Sequence, residues 1–150
     1  MARVSVRDPF AVPGEASAAA AIAAIEEELS LFDDWEDRYR YIIDLGRSLP
    51  PFPTEWMDEA HRVAGCQSRV WLAEKRNDGK LLLAGASDAA IVCGLVALLL
   101  RVYSGRAPDE IAATDPSFLA ELGLIGALST NRGNGVAAMA RRIRAMAREA

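Results

Sequence analysis

The stretch SRVWLAEKRNDGKLLLAGA, residues 68–86, predicts an antiparallel β-hairpin. Successive side chains of a strand point to opposite faces, so Val70 and Leu72 share one face of the first predicted strand. The pair Asp78-Gly79 follows, and such a pair tolerates the positive φ angles of a two-residue hairpin turn. The apolar run LLLAGA then returns as the partner strand.

Helical periodicity lies on both sides of the hairpin, where apolar residues recur at steps of three and four. The predicted helices run from about Glu15 to Phe32, from a cap at Asp33 or Asp34 to Gly46, from Ser87 or Asp88 through Tyr103, and from about Val136 to Arg148. The third helix is apolar nearly all round, which is typical of a buried helix. The glutamate run at 26–28 is interpreted as a solvated face, and NRGNG, residues 131–135, as a turn and cap before the last helix.

Two regions are predicted from the distribution of these patterns. Residues 1–14 carry Pro9, Pro13 and Gly14 and show no periodicity, so they are expected to form a flexible N-terminal tail. Residues 15–150 contain no repeat and are expected to form a single domain. A domain of this size buries about 70% of its unfolded surface and needs no disulfide or metal to fold.

The composition of the chain indicates which classes of partner and which cellular compartment to expect. The formal net charge of −4 disfavours nucleic acid, since phosphate binding depends on Lys and Arg. The longest apolar run, residues 89–100, falls well short of the roughly 20 residues that span a bilayer, so no membrane partner is expected. The chain has two cysteines, and its N-terminal residues lack the apolar core of a signal peptide. The expected location is therefore a reducing cytoplasm.

The two cysteines lie in contrasting surroundings. Cys93 belongs to the apolar helix and is predicted to be a small core residue. Cys66 follows Gly65 at a turn, with Arg62 four residues before it and Arg69 three residues after it. A cysteine reacts as its thiolate, which access and positive neighbours favour, so Cys66 is the candidate reactive thiol. Spacing alone leaves equally open a turn cysteine without chemistry.

Three other uses of these thiols stay open at this point. A metal site would recruit Cys66, Cys93 and His61 with a carboxylate as fourth ligand, although the paired spacing typical of zinc ligands is missing. A Cys-His nucleophile would use Cys66 and His61, for which no third orienting group can be assigned. A thiol redox sensor would need Cys93 exposed beside Cys66 to resolve its oxidised form.

Four segments together resemble the SufE family of sulfur-acceptor proteins. They are WEDRYRYIIDLGRSLPPFP, RVAGCQSRVWL, SDAAIVCGLVALLLRVYSG and LSTNRGNGVAAMARRIRAMA, in the family's order and at similar spacing. The Gly-Cys-Gln-Ser segment is the most specific of them. The resemblance implies an α+β fold, in which a small curled antiparallel β-sheet is packed by several helices, similar to SufE and to the IscU-type iron-sulfur scaffolds.

The resemblance also implies a function in iron-sulfur cluster assembly. Cys66 corresponds to the acceptor cysteine, which takes persulfide sulfur from a SufS-like cysteine desulfurase and passes it to an iron-sulfur scaffold or another sulfur acceptor. Such a carrier stimulates the desulfurase, and the pyridoxal phosphate belongs to that partner, so no cofactor is expected in this chain. The main alternative is an IscU-like scaffold for a cluster or zinc, which needs about three converging ligands. Homodimerisation is left open.

The remaining site residues are implied by the same resemblance. The acceptor loop or partner-binding surface would consist of Gly65, Gln67, Ser68 and, from the family's Arg-x-Asn-Gly element, Arg132. The family's cysteine is sheltered inside until the desulfurase engages it. The apolar neighbours Val63, Val70 and Trp71 are the expected shelter for Cys66.

Overall fold

The computed structural model describes residues 8–124 and 128–149, so residues 1–7 of the predicted tail and residue 150 lie outside the described residues. In chain order the elements are helices α1 (Ala18–Ser30) and α2 (Trp35–Arg47), a 3₁₀ turn (Thr54–Trp56), strands β1 (Val70–Asn77) and β2 (Lys80–Ser87), and helices α3 (Ala90–Tyr103), α4 (Pro108–Ala113), α5 (Phe118–Glu121) and α6 (Thr130–Arg148). The α+β fold class is confirmed. Across the described ranges, no helix has the length and apolar character that crossing a membrane requires.

The predicted hairpin is present with its predicted turn. β1 and β2 pair antiparallel, starting with Val70 opposite Ser87. Asp78 and Gly79 form the turn with φ angles of 52° and 75°, the left-handed conformation that this pair adopts readily. The local sequence signal therefore sets both the turn and the register of the sheet.

Helix α3 lies at the centre of the fold and packs against β2, α1, α2 and α6. Its crossing with α2 depends on two glycines. A β-carbon at Gly94 would lie 2.0 Å from the carbonyl oxygen of Ile42, and one at Gly46 would lie 2.6 Å from the backbone nitrogen of Gly94. Since both distances are far inside van der Waals contact, glycine is required at both positions for the helices to approach this closely.

The described part of the predicted tail, residues 8–14, lies against β2. The Ala11 N–H donates to the Leu83 carbonyl at 2.8 Å, and Phe10 is buried in a small apolar cluster with Ala73 and Ala84. The backbone of this segment therefore continues the hydrogen bonding of the sheet. A domain boundary between residues 14 and 15 stays a prediction.

A charged cluster joins α3 to the N-terminal part of the chain. The Arg101 guanidinium donates to Glu28 at 2.6 and 2.8 Å and to Glu15 at 2.9 and 3.2 Å. These hydrogen bonds hold the pKa of both carboxyl groups below the ordinary range. Glu26 and Glu27 are exposed as predicted, whereas Glu28 is half-buried against Arg101 and does not belong to a solvated face.

The last helix begins earlier than predicted. Helix α6 starts at Thr130, after Ser129 caps it by accepting the Arg132 N–H at 3.3 Å. The glycine-rich segment at 131–135 therefore forms the first turns of the helix, and its interpretation as a preceding turn is wrong. Gly133 and Gly135 are buried, and a β-carbon at Gly135 would lie 3.7 Å from the Cys66 sulfur, an ordinary contact.

Candidate functional site

Cys66 lies in a short loop that joins two antiparallel segments. Residues 61–63 follow the edge of β1, where the Val63 N–H donates to the Val70 carbonyl at 2.9 Å. The intervening chain turns at Gly65, whose φ of +89° lies in the left-handed region that favours glycine. A β-carbon there would also lie 3.3 Å from the β-carbon of Ala138, so Gly65 lets the loop approach α6.

A partly open space adjoins the Cys66 side chain, and we call it the inner cavity. Its volume is about 100 Å³. It is lined by Cys66, Gln67, Ser68, Val92, Leu95, Asn131, Arg132, Gly135 and Met139. Helices α3 and α6 supply buried walls, while the polar side chains of the loop and of the first turn of α6 lie at its rim. The thiol therefore borders a space that is apolar on one side and polar on the other.

The Cys66 thiol is half-buried and hydrogen-bonded. Its S–H donates to the Gly135 carbonyl at 3.5 Å. Burial raises the pKa of the thiol, and the positive charge of Arg62 opposes that effect. A carbonyl acceptor also favours the protonated form, so the resting cysteine is a shielded thiol, and its reaction as a nucleophile requires loss of the proton.

The structure brings the predicted site residues together. Gln67, Ser68 and Arg132 line the inner cavity with Cys66, although Arg132 follows Cys66 by more than sixty residues. Asn131 donates its side-chain N–H to the Gln67 side-chain oxygen at 3.2 Å, which ties the loop to α6. The Arg132 guanidinium donates to the Tyr39 hydroxyl, which connects the same place to α2.

A second space also borders Cys66, and we call it the outer groove. It has a volume of about 340 Å³ and is lined by Glu59, Arg62, Val63, Ala64, Gly65 and Cys66. Most of these residues are exposed, in contrast to the buried walls of the inner cavity. Arg62 pairs with Glu59 at 3.4 Å on the surface. Cys66 thus borders both the inner cavity and a surface groove.

The expected shelter is only partly correct. Val70 and Trp71 do not line the inner cavity, and Val63 borders the outer groove instead. The apolar lining comes from Val92 and Leu95 on α3 and Met139 on α6. These residues are distant from Cys66 in sequence, and no local pattern around the cysteine points to them.

The early start of helix α6 did have a signal in the sequence. Ser129, three positions before Arg132, is a residue type that commonly caps a helix.

His61 and Cys93, the other candidate metal ligands, each contact different residues. His61 places its Nδ1 at 2.7 Å from an Asp58 carboxylate oxygen and stacks on Trp56. Cys93 donates its S–H to the Ser87 carbonyl at 3.2 Å and is half-buried, so it is less buried than its prediction as a small core residue implied. Within residues 8–124 and 128–149, no three His, Cys, Asp or Glu side chains are grouped to hold a metal ion.

Comparison with known proteins places this geometry in a family. The family model described as SufE, Fe-S metabolism associated domain, matches residues 23–147. An uncharacterized SufE-like protein of Rhizobium etli is 41% identical over 136 residues, which cover 87% of this chain and 92% of that protein. An uncharacterized SufE-like protein of Rhizobium meliloti is 41% identical over 128 residues, which cover 82% and 91%.

A solved structure shares the fold. The solution structure of a hypothetical protein from Thermus thermophilus aligns with a TM-score of 0.72 at 23% identity, and the match covers 86% of this chain and 94% of that one. The family model covers most of the chain, and the two SufE-like relatives are 41% identical over more than four fifths of it. The chain belongs to the SufE family, whose domain is associated with iron-sulfur metabolism.

Proposed function

We propose that this chain accepts sulfane sulfur from a cysteine desulfurase on Cys66 and passes it on for iron-sulfur cluster assembly. The observation that carries the proposal is the half-buried Cys66 thiol at the boundary of the inner cavity and the outer groove, in a chain of the SufE family. Gly65, Gln67, Ser68 and Arg132 are the proposed acceptor-loop and partner-binding residues. A SufS-like desulfurase is the proposed donor, and an iron-sulfur scaffold or another acceptor receives the sulfur next.

The transfer itself needs a thiolate and access to it. The Cys66 thiolate attacks the outer sulfur of the donor persulfide, and a new S–S bond forms on Cys66. The S–S bond of the donor breaks, and its electron pair leaves with the donor cysteine as a thiolate. The exchange consumes no external oxidant or reductant. Removal of the persulfide frees the desulfurase for its next turnover, which is how the carrier would stimulate its partner.

The inner cavity suits the product of this transfer. Its volume of about 100 Å³ exceeds the roughly 10–15 Å³ that a single water-sized guest requires. One additional sulfur atom on Cys66 therefore has space beside Val92, Leu95 and Met139. A persulfide is readily reduced or oxidised, and enclosure between α3 and α6 would limit both reactions. A reducing cytoplasm is the proposed compartment, since both cysteines are free thiols.

Stimulation of a desulfurase tests the proposal. The alanine released from L-cysteine is measured with a SufS-like desulfurase and a thiol reductant, in the presence and absence of this chain. The wild-type chain should raise the turnover, Cys66→Ser should not, and the matched variant Cys93→Ser should behave as wild type. Equal stimulation by wild type and Cys66→Ser would show that Cys66 is not the acceptor.

A further inference from the structure

Arg62 and Cys66 line the same groove. The two residues lie on successive parts of the chain, with Arg62 on the segment that pairs with β1 and Cys66 in the loop that follows. The guanidinium of Arg62 has one ion-pair partner among the described residues, Glu59, at 3.4 Å. The Glu59 side chain is 89% exposed, and an ion pair in that environment is weak. Much of the positive charge of Arg62 therefore remains available to the groove.

Two other charged groups border the spaces beside Cys66, Arg132 in the inner cavity and Glu59 in the outer groove. Helix α3 contributes the apolar Val92 and Leu95, and α6 contributes Met139 and Arg132. The guanidinium of Arg132 is engaged by the Tyr39 hydroxyl on the inner side. The charged residues that line either space beside the thiol are therefore Arg62, Arg132 and Glu59. Of these, Arg62 is the cation on the side of the outer groove.

We propose that Arg62 is a positioning residue that stabilises the thiolate of Cys66 from the outer groove. This inference rests on the proposed function, because it supplies the ionised cysteine with which sulfur transfer begins. The thiol proton passes to solvent, the guanidinium stabilises the anionic sulfur that remains, and that sulfur then attacks the donor persulfide. The lowering effect of Arg62 on the Cys66 pKa agrees with this arrangement, although burial outweighs it in the resting protein.

The test is the pH profile of alkylation by iodoacetamide, measured at low ionic strength in a Cys93→Ala background. Arg62→Ala should react about two- to fivefold more slowly near neutral pH, the range expected for one exposed charge interaction. The rates should converge at alkaline pH, where Cys66 is ionised in both proteins. Arg62→Lys should restore most of the rate because it retains the charge. Glu59→Gln should raise the rate, since it removes the opposing carboxylate.

Arg69→Ala is the matched control. Arg69 is also an exposed arginine close to Cys66 in sequence, but it does not line the outer groove. Its removal should leave the profile unchanged. Equal rates for Arg62→Ala and wild type would overturn the inference, as would an equal loss in Arg69→Ala or a slow rate in Arg62→Ala that persists at alkaline pH. Iodoacetamide needs no desulfurase, so a failure here is distinct from a failure of Cys66 to accept sulfur.

Discussion

The two sides of helix α3 differ in the space that they leave around a cysteine. On the side that faces α2, the glycines at 46 and 94 bring the helix backbones together, and a β-carbon at Gly46 would lie 2.8 Å from that of Cys93. On the other side, Val92 and Leu95 border the inner cavity that contains Cys66. One helix therefore separates a closely packed thiol from a thiol with room beside it.

Burial alone does not distinguish the two thiols. Both are half-buried, and both donate an S–H to a backbone carbonyl, Cys66 to Gly135 at 3.5 Å and Cys93 to Ser87 at 3.2 Å. Cys66 borders the inner cavity and has the charge of Arg62 nearby, whereas Cys93 lies at the close crossing of α3 with α2. Under the proposed function, space for an added atom, rather than exposure of the thiol, is what separates the acceptor cysteine from the other one.

The largest loss of stability is expected from a substitution at the close crossing of α3 with α2. Gly94→Ala places a methyl group 2.0 Å from the Ile42 carbonyl oxygen, and it should reduce the free energy of unfolding by about 3 kcal/mol or more. Urea unfolding measures this loss. Gly135→Ala is the matched control, because its β-carbon would lie 3.7 Å from the Cys66 sulfur, an ordinary contact. That variant should stay within about 1 kcal/mol of wild type, since alanine also favours the helix.

Equal destabilisation by the two glycine substitutions would contradict the difference in packing between the two sides. Gly135→Ala offers a second measurement, since its methyl group adjoins the Cys66 sulfur. The methyl group reduces the space for an added sulfur, and sulfur uptake should fall while the fold is retained.

A moderate effect is expected from the closely packed thiol. Cys93→Ala removes the sulfur atom and its hydrogen bond to Ser87, and it should reduce the free energy of unfolding by about 1 kcal/mol. Sulfur uptake should be unchanged, because the proposed chemistry uses Cys66 alone. Unfolding by urea and the persulfide content after incubation with a desulfurase check the two parts. A folded Cys93→Ala protein that accepts no sulfur would show that both thiols take part.

Local sequence signals predicted the hairpin and much of the helical framework. Asp78-Gly79 set the turn of the sheet, and Asp34 caps α2 as expected. The same kind of signal misplaced the start of α6, because the glycines at 131–135 are also typical of a turn. In the folded protein those glycines lie in a capped helix, and Gly135 packs beside Cys66. That packing comes from tertiary structure and leaves no local pattern.

The candidate site was only partly predictable, because some of its residues are brought together by tertiary packing. The resemblance implied the loop around Cys66 and its neighbour Arg132, and the structure brings them to one cavity. The walls of that cavity come from α3 and α6, so residue patterns near Cys66 did not reveal them. The partial exposure of Cys93 was missed because helical periodicity identifies apolar faces without showing which neighbour covers each face.

The smallest expected effect concerns alkaline stability. Burial raises the pKa of Cys66 in the folded protein above its ordinary value of 9.0. The unfolded chain therefore loses the thiol proton at a lower pH, and this contribution to stability is complete below the unfolded pKa and is lost as the pH rises through the folded pKa. The urea midpoint of wild type should fall more over this range than that of Cys66→Ala. Identical pH dependence would show that Cys66 is not shielded.

The location of transferred sulfur tests the central claim most directly. The wild type, Cys66→Ser and Cys93→Ser proteins are each incubated with a SufS-like desulfurase and L-cysteine, and their intact masses are measured before and after treatment with a thiol reductant. Wild type and Cys93→Ser should gain one or more increments of about 32 Da that the reductant removes by exchange at the persulfide. Cys66→Ser should gain none while remaining folded. Sulfur uptake by Cys66→Ser, or its absence in Cys93→Ser, would contradict the assignment of Cys66 as the acceptor.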